Sequence, residues 1–182
     1  DGIEFFGGSV NVKNLLVVNS DDDMFDFTQG YNGTLENCYG IWETGYVSSE
    51  SDPRGVEADG NLDGLSPEHP NQSDFKIKNM TIDLRLAPST TEGCYMHDVI
   101  KVRRGAKATI ENALVKGQGQ AKDLVDLTDK KGDGQESTTI SITNSLSTKI
   151  NGKEVNGTGK VTIKAGNTGC PTNIFGWTGY QL

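Results

Sequence analysis

Two short motifs alternate along this chain, and their order limits what it can fold into more than any other feature. The first is apolar–charged–apolar: Ile3-Glu4-Phe5, Phe25-Asp26-Phe27, Val56-Glu57-Ala58, Ile100-Lys101-Val102 and Val125-Asp126-Leu127. The second is aliphatic–polar–asparagine: Val12-Lys13-Asn14, Leu35-Glu36-Asn37, Ile77-Lys78-Asn79, Ile110-Glu111-Asn112 and Ile142-Thr143-Asn144. Each has the period-2 pattern of a half-buried strand, and Gly, Asn, Asp and Ser gather between them as turns. A β-sandwich explains short strands but not why two motifs keep returning in one order. A unit of about 22 residues, lengthened by insertions, is what a solenoid needs, because each coil covers its neighbour's core. The expected fold is all-β: a single-stranded right-handed parallel β-helix of about five to six rungs.

Bulk composition agrees. Hydrophobic residues make up 34 % of the 182-residue chain and glycine 23 residues, which suits a thin, turn-rich β structure in one domain. A net charge of −8 argues against a nucleic-acid partner, since phosphate contacts need clustered Lys and Arg. Cys38, Cys94 and Cys170 form no C-x-x-C pair, so they neither suggest a thiolate zinc site nor decide the redox compartment. No apolar run reaches the roughly 20 residues that span a bilayer, and no signal peptide is visible. The opening, Asp1-Gly2-Ile3-Glu4-Phe5-Phe6, already reads as strand. We expect a mature or trimmed chain, the C-terminal portion of a longer solenoid.

Stacking converts repeats into columns of side chains about 4.8 Å apart. Period 2 places the five asparagines inward, where their amides can hydrogen-bond into a ladder. The residues before them, Lys13, Glu36, Lys78, Glu111 and Thr143, form an outer column of alternating sign, worth at most about 1 kcal/mol per exposed pair. The other motif stacks Glu4, Asp26, Glu57, Lys101 and Asp126. Three adjacent acids repel by roughly 1 kcal/mol per pair in water, and by several times that in a partly dry cleft. Such a column calls for a cation, raised pKa values or basic neighbours, and Arg54, Arg103 and Arg104 lie near in sequence. It reads either as a carboxylate-based or calcium-assisted sugar site or as a solvated acidic face.

The asparagine spacing of 23, 42, 33 and 32 residues locates the insertions, at 43–73 and 87–97. Binding loops of solenoids often sit on such a side. Within the first lies Asp59-Gly60-Asn61-Leu62-Asp63-Gly64, the first half of an EF-hand-like calcium loop, although Pro70 stands where the final Glu belongs. Asp59, Asn61 and Asp63 are therefore the candidate metal ligands. Asp21-Asp22-Asp23 reads as a turn. Tyr31, Trp42 and Tyr46 gather near the first insertion and are candidates for stacking on sugar rings; Tyr39 is close by. Trp177, within Phe175–Tyr180, is expected to close the last rung.

No catalytic set is complete. His69 and His97 sit in no nucleophile motif, and no G-x-S-x-G or phosphate-binding glycine loop occurs. Adjacent rungs could supply a glycosidase carboxyl pair, Asp26 with Glu57. Lys101 and Arg103 beside Glu57 would suit a lyase.

The wording of the repeats resembles that of a known group. Asp1-Gly2-Ile3-Glu4-Phe5-Phe6-Gly7-Gly8-Ser9-Val10-Asn11-Val12-Lys13, Asp22-Asp23-Met24-Phe25-Asp26-Phe27, Arg54-Gly55-Val56-Glu57-Ala58-Asp59 and Gly176-Trp177-Thr178 are similar to segments of Bacteroidetes surface or secreted proteins with a pectin-lyase-like right-handed β-helix. The resemblance covers nearly the whole chain. It implies an exported protein, extracellular or on the outer-membrane surface, often lipid-anchored through an N-terminal part, and it carries over no catalytic residue. The expected function is a non-catalytic carbohydrate-binding or cell-surface interaction module with a polysaccharide or surface glycan as partner. The alternative is a polysaccharide lyase or glycoside hydrolase using Asp26, Glu57, Lys101 and Arg103.

Overall fold

The computed structural model describes residues 1–182, except the side chain of Asp63. It contains twelve strands: β1 (Ile3–Phe6), β2 (Val12–Val18), β3 (Phe25–Thr28), β4 (Thr34–Trp42), β5 (Arg54–Ala58), β6 (Asp74–Leu84), β7 (Met96–Val102), β8 (Lys107–Gly117), β9 (Ala121–Asp126), β10 (Thr139–Leu146), β11 (Val155–Asn156) and β12 (Lys160–Ile163). The odd strands form one parallel sheet in chain order and the even strands form another. Each coil therefore contributes one strand to each sheet, as the alternating motifs predict, and the fold is an all-β parallel β-helix of six rungs.

The motifs set the register. On the odd sheet Glu4 pairs with Asp26, Asp26 with Glu57, Glu57 with Lys101 and Lys101 with Asp126. Their apolar neighbours point into the coil. There Phe5, Phe27 and Phe75 stack, with Phe27 and Phe75 centroids 3.9 Å apart, and Tyr31 closes the group.

The asparagine ladder forms, but not where strict alternation places it. Asn14, Asn37, Asn79 and Asn112 have φ of 60°, 63°, 56° and 56°, in the left-handed region that asparagine tolerates better than most residues. Each even strand bends there and its alternation restarts, so Leu35 and Cys38, three apart, are both fully buried while Asn37 is half-buried. The amides run Asn112 to Asn79 (2.8 Å), Asn79 to Asn37 (3.0 Å) and Asn37 to Asn14 (3.0 Å).

The fifth asparagine is a correction. Ile140, not Ile142, stands opposite Ile110, and the register then slips so that Ile142 faces Ala113 and Asn144 faces Val115. Thr143 accordingly leaves the Lys/Glu column, which stays in register through Lys13, Glu36, Lys78 and Glu111. Asn112 is met instead by Thr168 and Gly169 of the returning C-terminal segment.

That segment corrects a second expectation. It does not close the last rung. It doubles back over the outside of the even sheet, where Phe175 and Cys170 pack on Tyr39 and Ile41, Cys170 N donates to Thr81 Oγ1 (2.9 Å), and Tyr180 reaches Glu43 (2.6 Å). Trp177 is left 74 % exposed.

The insertion expected at 43–73 is two loops, because β5 is a regular rung strand with Arg54 and Glu57 on it. Residues 43–53 precede the odd sheet, facing the loop before β7, and 59–73 follow it. The outer face of the odd sheet lies between.

Candidate functional site

On that outer face the column read from sequence is joined by another, three residues earlier on each rung. Asp1 precedes Glu4, Asp23 precedes Asp26, Arg54 precedes Glu57, Asp98 precedes Lys101, and Asp123 precedes Asp126. Arg54 pairs with Asp98 in register, and Asp98 with Asp123. Asp23 is thus part of the site rather than merely a turn residue. In the sequence these residues form a charged pair at i, i+3 on each of these rungs, a second signal beside the central charge.

Although it is an outer face, its ionic side chains are buried against one another: Asp23 is 2 % exposed, Asp26 8 %, Glu57 7 % and Asp98 0 %. Arg54 ties the grid together. Its guanidinium meets Asp52 (2.8 Å) and Asp98 (3.0 Å), bonds Glu57, and lies 4.0 Å from Asp23. Arg103 binds the second oxygen of Glu57 (2.8 Å) and also Asp59 (3.0 Å). Lys101 is committed to Asp126 (2.5 Å). His97 Nδ1 lies 3.1 Å from Asp98, and Lys122 Nζ 3.2 Å from His97 Nε2.

Asp23, Asp26 and Glu57 bring carboxyl oxygens within 4.8 Å of one another. Burial, and then the charge of Glu57, pushes Asp23 up to about 9 and Asp26 up to about 8. Burial raises Glu57 to about 7, against the pull of Arg54 and Arg103. Asp98 goes the other way: burial opposes its charge, but the His97 hydrogen bond and Arg54 prevail, holding it below the usual carboxylate range. Arg54 is likewise held charged, with its acidic partners outweighing burial. Near neutral pH the cluster therefore holds protons on Asp23 and Asp26, beside a Glu57 whose affinity for a proton is also raised. Oδ1 of Asp23 and Oδ1 of Asp26 accept no hydrogen bond, although Arg54 faces the former at 4.0 Å.

The other sequence candidates go elsewhere. Tyr31 and Trp42 are fully buried and cannot stack on a sugar: Tyr31 sits in the aromatic core with its hydroxyl on Val10 O (2.7 Å), and Trp42 donates to Ser20 O (2.9 Å). Both are too large and apolar for the coil to leave outside. Tyr46 is half-buried, tilted against Trp42, on a cleft between the loops before β5 and β7. The calcium-loop reading also fails for Asp59. Its carboxylate is clamped by Arg103 and Arg104 (3.1 Å). Asn61 turns to Asn71 O (3.3 Å), within a 3-10 turn over Asn61–Gly64. The Asp63 side chain lies outside the described residues. Among the described residues, the buried acid groups able to hold a cation are Asp23–Asp26–Glu57 and Asp98–Asp123–Asp126. In the second, Arg54, Lys101 and the Lys153 N–H already occupy oxygens.

A coil of parallel rungs with one strand of each rung in either sheet and an ionic outer face is a parallel β-helix. Residues 1–178 match the family model described as a pectate-lyase-like β-helix domain, and the chain belongs to that family. Comparison with curated proteins and with solved structures found no match. No helix among the described residues is long and apolar enough to cross a membrane.

Proposed function

We propose that this domain takes a polysaccharide along the outer face of the odd sheet and cleaves it by acid–base chemistry at Asp23, Asp26 and Glu57. One observation carries the reading: three carboxyls within 4.8 Å, held partly protonated around neutral pH beside arginines. Asp26 is the proton donor to the glycosidic oxygen, and Glu57 is the carboxylate facing the sugar. One oxygen of each lies within 4.8 Å of the other, closer than the roughly 6.5–9.5 Å that admits a water, which favours double displacement. Arg103 serves as an electrostatic clamp rather than a lyase base, because its acidic neighbours hold it charged. The pectate-lyase-like family supports a polysaccharide partner, and we place the protein outside the cell on that ground. Asp23 and Asp26, each with an Oδ1 that accepts no hydrogen bond, are the donors through which a calcium ion would be held.

Release of reducing ends and of unsaturated products from a panel of cell-wall polysaccharides tests this reading. We expect reducing ends without unsaturated product, and a loss of about 100-fold or more in Asp26→Asn and Glu57→Gln with folding intact. A second reading, a glycan-binding module without turnover, is favoured by the engagement of both Glu57 oxygens by arginines. Glycan-array binding with no released ends from any substrate would establish that reading and sink the first.

A further inference from the structure

A different part of the coil offers a binding site of contrasting chemistry. The turn after β7 is short, residues 103–106, whereas those on either side, 59–73 and 127–138, are long. A short turn between two long ones leaves a notch. Its walls are braced. Gln72 Nε2 donates to Ser66 O (2.9 Å) and His69 O (3.0 Å), and its Oε1 accepts from Asn61 N (2.7 Å), folding the first long turn onto itself. From the other side Gln135 N donates to Ala106 O (2.9 Å) and its Nε2 to Gly105 O (2.7 Å), leaning the second long turn onto the short one. A cleft of about 580 Å³ opens beside these turns, lined by Asn32 from the turn after β3, by Pro70, Asn71, Gln72 and Asp74, and by Gln135 from the second long turn. That volume is within the range of about 300–1,000 Å³ common for ligand pockets.

The lining is amide-rich and nearly free of uncompensated charge. Its acid, Asp74, is paired with Lys107 at 3.2 Å. Among the described residues, the side-chain amides of Asn32 and Asn71 and the Gln135 Oε1 make no hydrogen bond within the protein, and both asparagines are exposed. A carboxamide offers two donors and an acceptor side by side, which matches neighbouring hydroxyls of a sugar ring. Pro70 adds a small apolar surface for a ring's C–H face. None of the described lining residues is a cation that would draw an anionic chain.

We propose that this notch is a second carbohydrate site, separate from the ionic face, that binds a neutral sugar through Asn32, Asn71 and Gln135. It does not depend on the cleavage reading, since it shares no residue with the acid cluster.

The test is a titration followed through the side-chain amide signals of Asn32 and Asn71. The ligands are xylohexaose, cellohexaose, mannohexaose and arabinohexaose, with trigalacturonate as the anionic arm. We expect at least one neutral hexaose to shift both amides, and trigalacturonate to leave them in place. Affinity for that hexaose should fall about tenfold or more in Asn32→Ala combined with Asn71→Ala, as the loss of two neutral hydrogen bonds implies. Both residues are exposed, so the variant should keep its thermal transition. Asp26→Asn should leave this binding unchanged even where it abolishes turnover, so the two readings fail separately. Shifts confined to the odd sheet, no response to any neutral hexaose, or unchanged affinity in the double variant would each overturn the proposal.

Discussion

The molecule carries two charged columns built by the same device, and they have opposite characters. On the even sheet Lys13, Glu36, Lys78 and Glu111 alternate in sign along the stack, and the Lys13–Glu36 pair (3.3 Å) has its lysine 73 % exposed. On the odd sheet Asp26, Glu57 and their partners form a tight, nearly dry network around Arg54. Register is equally good in both. What differs is a second row of charges, three residues earlier, which packs beside the first together with Arg103 and Asp59 and leaves the grid nearly dry. Screening then falls, and repulsion among acids becomes proton uptake and arginine dependence instead of being dissipated by solvent.

The sharpest way to break this contrast is to remove the hub. Arg54→Met should destabilise the fold by about 3–5 kcal/mol, because it strands buried carboxylates without a counter-charge. Lys13→Met should change stability by under about 1 kcal/mol. Urea unfolding of the two variants measures the difference, and equal effects would erase the distinction between the columns.

A second test uses pH. Asp23 and Asp26 have folded values of about 9 and about 8, well above the unfolded carboxyl value near 4. The folded state therefore binds more protons between those limits. The stabilisation is full below about pH 4 and is lost as pH rises through about 8 to 9. Thermal transitions should fall steadily from pH 5 to pH 9 and should flatten in Asp23→Asn combined with Asp26→Asn. A flat wild-type profile would mean that the acid cluster is not dry.

The asparagine ladder supplies an intermediate effect. Asn79 donates to Asn37 and accepts from Asn112 in a left-handed conformation. Asn79→Ala loses both bonds and adds backbone strain, for a cost of about 1–3 kcal/mol. Asn144→Ala should stay within about 0.5 kcal/mol, since that residue is outside the ladder. Comparably small is the Lys13–Glu36 coupling. A double-mutant cycle should give about 0.2–1 kcal/mol, fading as salt is added.

Much of this was legible in the residues. The central column Glu4–Asp26–Glu57–Lys101–Asp126 is in register as its motif predicts, and so are four rungs of the Lys/Glu column and of the asparagine ladder. The failures share a cause. Asn144 and Thr143 match their motif but lose their place to a register slip against β8, which the local pattern does not encode. Tyr31 and Trp42 look like surface aromatics because they adjoin polar turns, yet the coil closes over them. Asp59 looks like a calcium ligand until Arg103, 44 residues later, takes its carboxylate.

The residues alone set the rung: which of them are strand, which side chains share a row, and in what order the rows stack. Period and repeat are local properties, and parallel stacking reproduces them at each turn of the coil. Which rows are dry depends on contacts between distant rungs. Arg54 meets Asp98 across 44 residues, and Cys170 meets Thr81 across 89. Burial is a property of those distant contacts, and burial sets whether a stacked carboxylate is a solvated charge or a held proton.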